Sequence, residues 1–202
     1  MAEDYAVFDA DGTLWREDLG EAFLLYLQKN KWIPPHCFSE VKRIEQTDPL
    51  TAYVLTVQCM AGLPAKRVAE LAHRFANPWV KERVREDVWD LVENCKANGH
   101  KLVLVSATSE LVLQQLDILD DFEIHGIRTA IVEGKLTDRV LYPVTYGEGK
   151  FEFLKKHFSR PPRMAAGDSP GDLPMLEYAE IGVWVGEEDI ELPPGIVRLS
   201  GL

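Results

Sequence analysis

Strand-like apolar runs recur along this chain with helical stretches between them, and that alternation limits the fold more than any other feature. The first run, Tyr5–Asp9, is ended by the turn signal Asp11–Gly12. Lys101–Ser106, Arg163–Gly167, Ile181–Val185 and Ile196–Leu199 follow. They are apolar on both faces rather than alternating, which is the pattern of strands buried between helices in a parallel sheet. Helical periodicity fills Val84–Asn98 before the second run, Glu110–Leu119 after it and Lys150–His157 before the third. Strands alternating with helices predict an α/β, doubly wound parallel-sheet domain.

Two stretches break the alternation. His125–Pro143 holds two β-rich runs joined at Gly134–Lys135, which predicts a hairpin forming an accessory ribbon beside the sheet. From Asp18 to Lys81 the apolar residues recur at helical spacing in Leu19–Gln28, Phe38–Ile44, Leu50–Ala61 and Ala65–Phe75. Breaks are expected at Pro34–Pro35, Asp48–Pro49, Gly62–Leu63–Pro64 and Asn77–Pro78. The domain expectation is therefore a core of residues 1–17 and 82–202, with residues 18–81 as an inserted α-helical cap. Such an insertion follows the first strand and would sit over the carboxyl edge of the sheet, where open α/β sheets bind ligands. At 202 residues the chain is long enough for both parts.

Composition narrows the partners. The formal net charge of -11 works against nucleic acid and anionic membrane, both of which need clustered Lys and Arg. It does not work against a small anionic substrate, because a metal ion reverses the field inside a site. The three cysteines, Cys37, Cys59 and Cys95, form no ligand cluster and fit a reducing compartment. The acidic N-terminus is not a signal peptide, and no apolar stretch approaches the roughly 20 residues that span a bilayer. A cytoplasmic location is expected; the oligomeric state is not legible.

Four short pieces carry the chemistry. Asp9-Ala10-Asp11-Gly12-Thr13 places two carboxylates at the end of the first strand, where residues two apart in extended chain point the same way. Paired carboxylates are costly there unless a cation is bound, and an oxygen-rich pocket suits Mg²⁺. Ser106 and Ala107, at a strand-to-helix turn, offer a hydroxyl and free N–H groups to an anion. Lys150 begins a helix, where a cation needs an anionic partner, or else is simply solvated. Gly167-Asp168-Ser169-Pro170-Gly171-Asp172 adds two more carboxylates directly after a strand. Each piece alone has a plain reading as a solvated turn or a helix cap. The order of all four, each at the mouth of an expected element, points to a site.

DADGT, VSAT, GK and GDSPGD resemble the four motifs of the haloacid dehalogenase superfamily of phosphohydrolases. The resemblance spans nearly the whole chain. The insertion after the first motif, the hairpin around Gly134 and the GDSxxDxxML ending at Leu176 are similar to the phosphoserine-phosphatase-like branch. The resemblance implies that Asp9 is the nucleophile, forming an aspartyl-phosphate, and that Asp11 is the general acid and base. It also implies a Mg²⁺ ion held by Asp9, the backbone carbonyl of Asp11 and Asp168, with Asp172 orienting or completing that shell. Ser106, Ala107 and Lys150 would hold the phosphoryl oxygens. An acid at position 11 favours phosphatase or phosphotransferase chemistry over dehalogenation.

On the substrate side, Asp18 stands where phosphoserine phosphatases carry an acid for the substrate amine, with Glu17 beside it. Those enzymes also use a cap Arg for the substrate carboxylate, whereas Thr51–Gly62 contains no Lys or Arg. An acid without that Arg suits a cationic alcohol such as phosphocholine or phosphoethanolamine, and DxDxTxxxxDLxE over Asp9–Glu21 is similar to the phosphorylcholine phosphatase group. Trp15, Tyr26, Trp32, Tyr53 and Trp79 are candidates for an aromatic cage around the cation, although aromatics at helical spacing more often form core. The five histidines form no ligand pattern. Phosphoserine hydrolysis, phosphotransfer to an alcohol and a non-catalytic binding role are the alternatives.

Overall fold

The computed structural model describes residues 4–199. The first strand, β1 (Tyr5–Phe8), is buried along its whole length. Four helices follow it: α1 (Leu19–Lys29), α2 (Cys37–Glu45), α3 (Pro49–Gln58) and α4 (Ala65–Lys81). Then come α5 (Glu86–Ala97), β2 (Lys101–Ser109), α6 (Glu110–Leu113), β3 (Phe122–Val132) and β4 (Lys135–Leu141). The chain ends with α7 (Glu148–His157), β5 (Met164–Gly167), α8 (Leu173–Tyr178), β6 (Gly182–Trp184) and β7 (Ile196–Arg198).

The strands form one sheet in the order β4-β3-β2-β1-β5-β6-β7. All neighbours are parallel except β3 and β4. The expected doubly wound fold is therefore present. The chain winds outward from β1 through β2 and β3, then returns to the other side of β1 for β5 to β7. The order reverses between β1 and β5, at a topological switch point. Phe8 pairs with both Leu104 and Ala166, so the segments leaving β1, β2 and β5 emerge side by side. Among the described residues, no helix is long and apolar enough to cross a membrane.

Three expectations are corrected. The expected ribbon is part of the sheet: β3 pairs in parallel with β2 over Phe122–His125 before turning into the hairpin with β4. Its first half escapes a hydrophobicity pattern because Glu123 and His125 lie in it, in contact with each other at 2.7 Å, with Glu123 also paired to Lys101. The hairpin turn, at Glu133 and Gly134, has positive φ at both residues, as a two-residue connection requires. It also braces the helices, since Gly134 and Leu136 accept from Ala65 and Gly62.

The helix expected over Glu110–Leu119 is a single turn followed by a separate 3-10 turn at Asp117–Leu119. Asn77 intervenes: its amide donates to the Gln115 carbonyl at 2.8 Å and its carbonyl accepts from the Asp117 N–H at 2.9 Å. Those backbone groups are thereby diverted from a continuous helix. Conversely, α4 runs through the expected break at Asn77–Pro78. Its stripe Val68, Leu71, Ala72, Ala76 and Val80 is buried. Continuing that stripe offsets the proline's missing donor, a defect of about 3 kcal/mol in a helix interior.

Candidate active site

The segment after β1 folds into a tight turn. The Ala10 carbonyl accepts from the N–H groups of Leu14 (2.8 Å) and Thr13 (3.2 Å). Gly12 adopts φ 78°, and a Cβ there would lie 2.1 Å from Asp168 Oδ2. Glycine is thus required both for the turn and for the approach of the acid that follows β5. Thr13 Oγ1 donates to Asp168 Oδ1 at 2.8 Å, locking the two loops together. Arg85 supports the turn from behind, donating to the carbonyls of Gly12 and Val185, each at 2.8 Å.

Lys150, in the first turn of α7, is buried at 2% exposure, which removes the reading of a solvated lysine. Its ammonium donates to Asp9 Oδ1 at 2.5 Å and to Asp172 Oδ1 at 2.6 Å. The other Asp172 oxygen accepts from the N–H groups of Asp168 (3.1 Å) and Ser169 (3.0 Å) and from the Ser169 hydroxyl (2.9 Å). Asp172 is therefore fully engaged as the strut that fixes Lys150 and the β5 loop. Burial works to lower the Lys150 ammonium, but Asp172 and Asp9 outweigh it and hold the group above its usual range.

Carboxylate oxygens of Asp9, Asp168 and Asp172 lie within 4.8 Å of one another. Burial pushes Asp9 well above the usual carboxylate range, against the pull of Lys150. Burial, with Asp172 next, raises Asp168 to about 6. Two buried carboxylates and a half-buried third against one ammonium lack positive charge, and oxygen donors of this kind fit a hard divalent cation. Asp9 and Asp168 each keep one oxygen outside the hydrogen bonds just described, so these two are the available side-chain ligands.

Asp11 does not share the direction of Asp9, as two residues of an uninterrupted strand would. The turn begins at Ala10, and the Asp11 carboxylate swings toward α1. Oδ1 accepts from Trp15 Nε1 (2.8 Å) and the Leu19 N–H (2.7 Å), and Oδ2 from Thr108 Oγ1 (2.6 Å). Its carboxylate lies outside the three-acid group, leaving its backbone carbonyl as the ligand proposed from the motif. Burial raises its pKa, and the bonds from Thr108, Leu19 and Trp15 oppose that rise.

The register of β2 against β3 shifts between Val105 and Ser109, freeing the Ser106–Thr108 backbone to turn toward Asp9. Ser106 is buried; its Oγ accepts from the Thr108 N–H at 3.1 Å, and its carbonyl accepts from Thr145 Oγ1 at 2.6 Å. Ser106, Ala107 and Lys150 wall a cavity of about 260 Å³ together with Asp9, Asp11, Asp168 and Asp172. Glu17, Asp18, Tyr53 and Tyr146 also line it.

Trp15 is corrected. It is fully buried, does not line this cavity and serves Asp11 through its indole N–H. Of the other cage candidates, Tyr53 lines the cavity, while Trp32 and Trp79 already carry Arg67 and Arg83 on their rings at 5.0 and 4.3 Å. Tyr26 stacks on Phe75 at 4.7 Å. Asp18 caps α1, accepting from the Glu21 N–H at 2.7 Å. Burial, with Asp11 next, pushes its carboxyl well above the ordinary range. Glu17 holds Arg83 at 3.1 Å from a left-handed backbone, φ 67°.

Sequence reasoning missed Thr108, Tyr146 and Thr13. All three lie inside or beside the motifs already read, two residues after Ser106, four before Lys150 and four after Asp9.

Residues 6–177 match the family model of haloacid dehalogenase-like hydrolases. No curated protein matches the chain in sequence. Among solved structures, the chain is similar to a protein of unknown function from Bordetella pertussis Tohama I, with a TM-score of 0.77 and 17% identity over 91% of this chain and 90% of that one. It is also similar to phosphoserine phosphatase from T. onnurineus in complex with NDSB-201 (TM-score 0.63, 24% identity, 98% and 88% covered). A phospho-aspartyl intermediate analogue of phosphoserine phosphatase is a third (TM-score 0.62, 19% identity, 91% and 87% covered). At these identities the likeness is one of fold.

Proposed function

This chain belongs to the haloacid dehalogenase-like hydrolases, and from that premise we propose that it is a magnesium-dependent phosphatase acting on a small phosphorylated amino alcohol through an aspartyl-phosphate at Asp9. The observation that carries this reading is the buried bridge from Asp9 through Lys150 to Asp172 at the mouth of the sheet. A buried lysine between two carboxylates is a costly arrangement to keep for stability alone.

In this reading Lys150 orients the Asp9 carboxylate through Oδ1, the oxygen that attacks phosphorus, and leaves the other oxygen as the metal ligand. The new bond joins Oδ1 to phosphorus as the ester P–O bond breaks, and Asp11 gives its proton to the departing alkoxide. Water then attacks the aspartyl-phosphate, Asp11 takes a proton from it, and Asp9 and inorganic phosphate are released. Burial favours the acid form of Asp11 and its three donors favour the carboxylate, a balance suited to a group that gives a proton in one step and accepts one in the next. Ser106, the Ala107 N–H and Lys150 hold the transferred oxygens. Asp9, Asp168 and the Asp11 carbonyl would hold Mg²⁺, which when bound offsets the repulsion between carboxylates and phosphate.

The leaving-group end supports a cationic alcohol. We place the alcohol against Glu17, Asp18, Tyr53 and Tyr146, and among the described residues the only cation lining the cavity is Lys150, already committed to Asp9 and Asp172. The adjoining helix α3, PLTAYVLTVQ, supplies no Arg for a substrate carboxylate. Phosphocholine or phosphoethanolamine therefore fits better than phosphoserine. We take residues 18–81 as the cap over this site.

The test is phosphate release from a panel of phosphomonoesters, with and without Mg²⁺, beside Asp9→Asn. Metal-dependent turnover lost in that variant and highest on the cationic esters is expected. Preference for phosphoserine would overturn the substrate reading. Phosphoryl transfer to an added alcohol in place of water would reassign the enzyme as a phosphotransferase, and no turnover on any ester would favour a binding role.

A further inference from the structure

Helix α1 is apolar on two faces. Leu19, Phe23, Leu24 and Leu27 are buried in the core. Ala22, Leu25 and Tyr26, flanking that face and only half-buried, floor an open groove of about 640 Å³. Phe38 from α2 and Phe75 and Trp79 from α4 form its sides, and all three are half-buried. A surface helix ordinarily turns polar residues outward, so this second stripe needs an occupant. The groove adjoins the catalytic cavity, with Glu17 and Asp18 lining both. From that shared wall it follows α1 to Lys29, a path of about 16 Å at the rise of an α-helix.

Charge separates the two ends. Three acids, Glu17, Asp18 and Glu21, stand at the near end. Glu17 is paired with Arg83 and Glu21 with Lys42, whereas Asp18 has no ion pair among the described residues. The one of these three acids without an ion pair thus stands between cavity and groove. Glu17 beside it is held in a backbone conformation that glutamate rarely adopts, a form of strain that gathers where a wall must be shaped. A ligand matching this sequence of surfaces has a phosphoryl group, a cationic nitrogen a few bonds away, and an apolar or aromatic substituent on that nitrogen.

We infer that the groove along α1 binds the distal apolar end of the substrate's leaving group, making the preferred substrate an N-substituted amino-alcohol phosphate rather than the bare amino-alcohol ester. This rests on the phosphatase reading above and extends it from the cavity to the groove.

The experiment compares aminoethyl phosphate with N-benzyl-aminoethyl phosphate on the wild type, Leu25→Gln and Leu25→Met. The measured quantity is the ratio of the two kcat/KM values within each preparation. The wild type is expected to favour the benzyl ester at least tenfold, through KM. Leu25→Gln should bring the ratio to about one, and Leu25→Met should restore it. A wild-type ratio near one, or a ratio unmoved by Leu25→Gln, overturns the inference while leaving the phosphatase reading intact. If Leu25→Gln does not fold, Phe75→Leu takes its place with the same expected loss. If neither ester releases phosphate, the phosphatase reading fails, and calorimetric titration with N-benzylethanolamine against ethanolamine decides the groove: tighter binding of the benzyl compound upholds it, and equal or absent binding overturns it.

Discussion

The two ends of the catalytic cavity are built on opposite principles. At the proposed phosphoryl end Lys150, Asp172, Thr13 and Asp168 bond to one another across the segments that leave β1 and β5 and the first turn of α7. At the proposed leaving-group end Asp18 has, among the described residues, only the N-cap bond it gives α1, and the walls come from the loop before α1, from Tyr53 of α3 and from Tyr146 in the loop before α7. The first end is a closed network whose groups define each other's positions. The second is shaped by packing and leaves a half-buried acid without an ion pair among the described residues. The difference teaches that this chain fixes the chemistry rigidly and leaves recognition to residues whose partner must arrive.

Breaking the closed network should have the largest effect, and two variants separate its chemistry from its stability. Lys150→Met leaves Asp9 and Asp172 facing each other in the interior, so it should abolish turnover and cost about 3–5 kcal/mol of stability. That corresponds to a fall in Tm on the order of 10 °C for a domain of this size. Asp9→Asn should reduce phosphate release by about 10⁴-fold or more, yet leave Tm unchanged or higher, because it removes one of three crowded carboxylates and keeps an acceptor for Lys150. Thermal melts of both proteins decide the matter. Equal losses of stability would mean that Asp9 is structural and the division drawn here is wrong.

Mg²⁺ should distinguish the two ends next. A ligand present at about 100 times its Kd stabilises the folded chain by about 2.7 kcal/mol. The rise in Tm on adding Mg²⁺ should disappear in Asp168→Asn and persist in Asp18→Asn. Persistence in Asp168→Asn would remove Asp168 from the ligand set.

The closed end was largely legible because its residues sit where strands stop, and short apolar runs locate those points. Position alone did not decide Lys150, since a lysine beginning a helix reads equally well as solvated; only the convergence of β1 and the β5 loop on it removes water. The common direction assumed for Asp9 and Asp11 failed because the turn starts between them. Trp15 was assigned to substrate by its nearness to the motif, whereas its place four residues after Asp11 lets the indole N–H reach that carboxylate. At the open end Glu17 and Asp18 were readable beside the first motif, but the meeting of Tyr53 with Tyr146 depends on the packing of distant segments, which no local pattern encodes. Tyr146 faces Tyr53 at 5.1 Å across 93 positions of sequence.

Asp18→Asn sharpens the comparison from the open side. Asparagine still caps a helix, so any effect should report the charge. KM for cationic esters should rise about 10- to 100-fold, the value of a hydrogen bond to a charged group, while an uncharged ester changes little. The stability effect has the opposite sign. The folded-state pKa of Asp18 is raised, so folding favours its protonated form, and its contribution to stability falls as pH rises from the unfolded value near 3.9 toward the folded one. Asp18→Asn should therefore melt higher than wild type at pH 7, with the difference closing toward pH 4. A variant less stable at pH 7 would mean that the carboxylate is satisfied by groups of the protein itself and is not held for a substrate.

Thr108 joins the two ends, and its replacement should give the smallest effect. Its hydroxyl holds Asp11 Oδ2 from the β2 side, while Trp15 and the Leu19 N–H hold Oδ1 from the side of α1. Thr108→Val keeps the shape and removes one donor, worth about 1 kcal/mol, so kcat should fall roughly tenfold with KM little changed. Loss of a donor to the carboxylate also raises the pKa of Asp11, so the limb of the pH profile on which Asp11 must accept a proton should move upward. Thr108→Ser should restore both. A tenfold loss with an unmoved pH limb would place Thr108 in the packing of β2 rather than in the positioning of the acid. A shifted limb would show that the proton-transferring group, alone among the catalytic acids, is set jointly by the rigid end and the adaptable one.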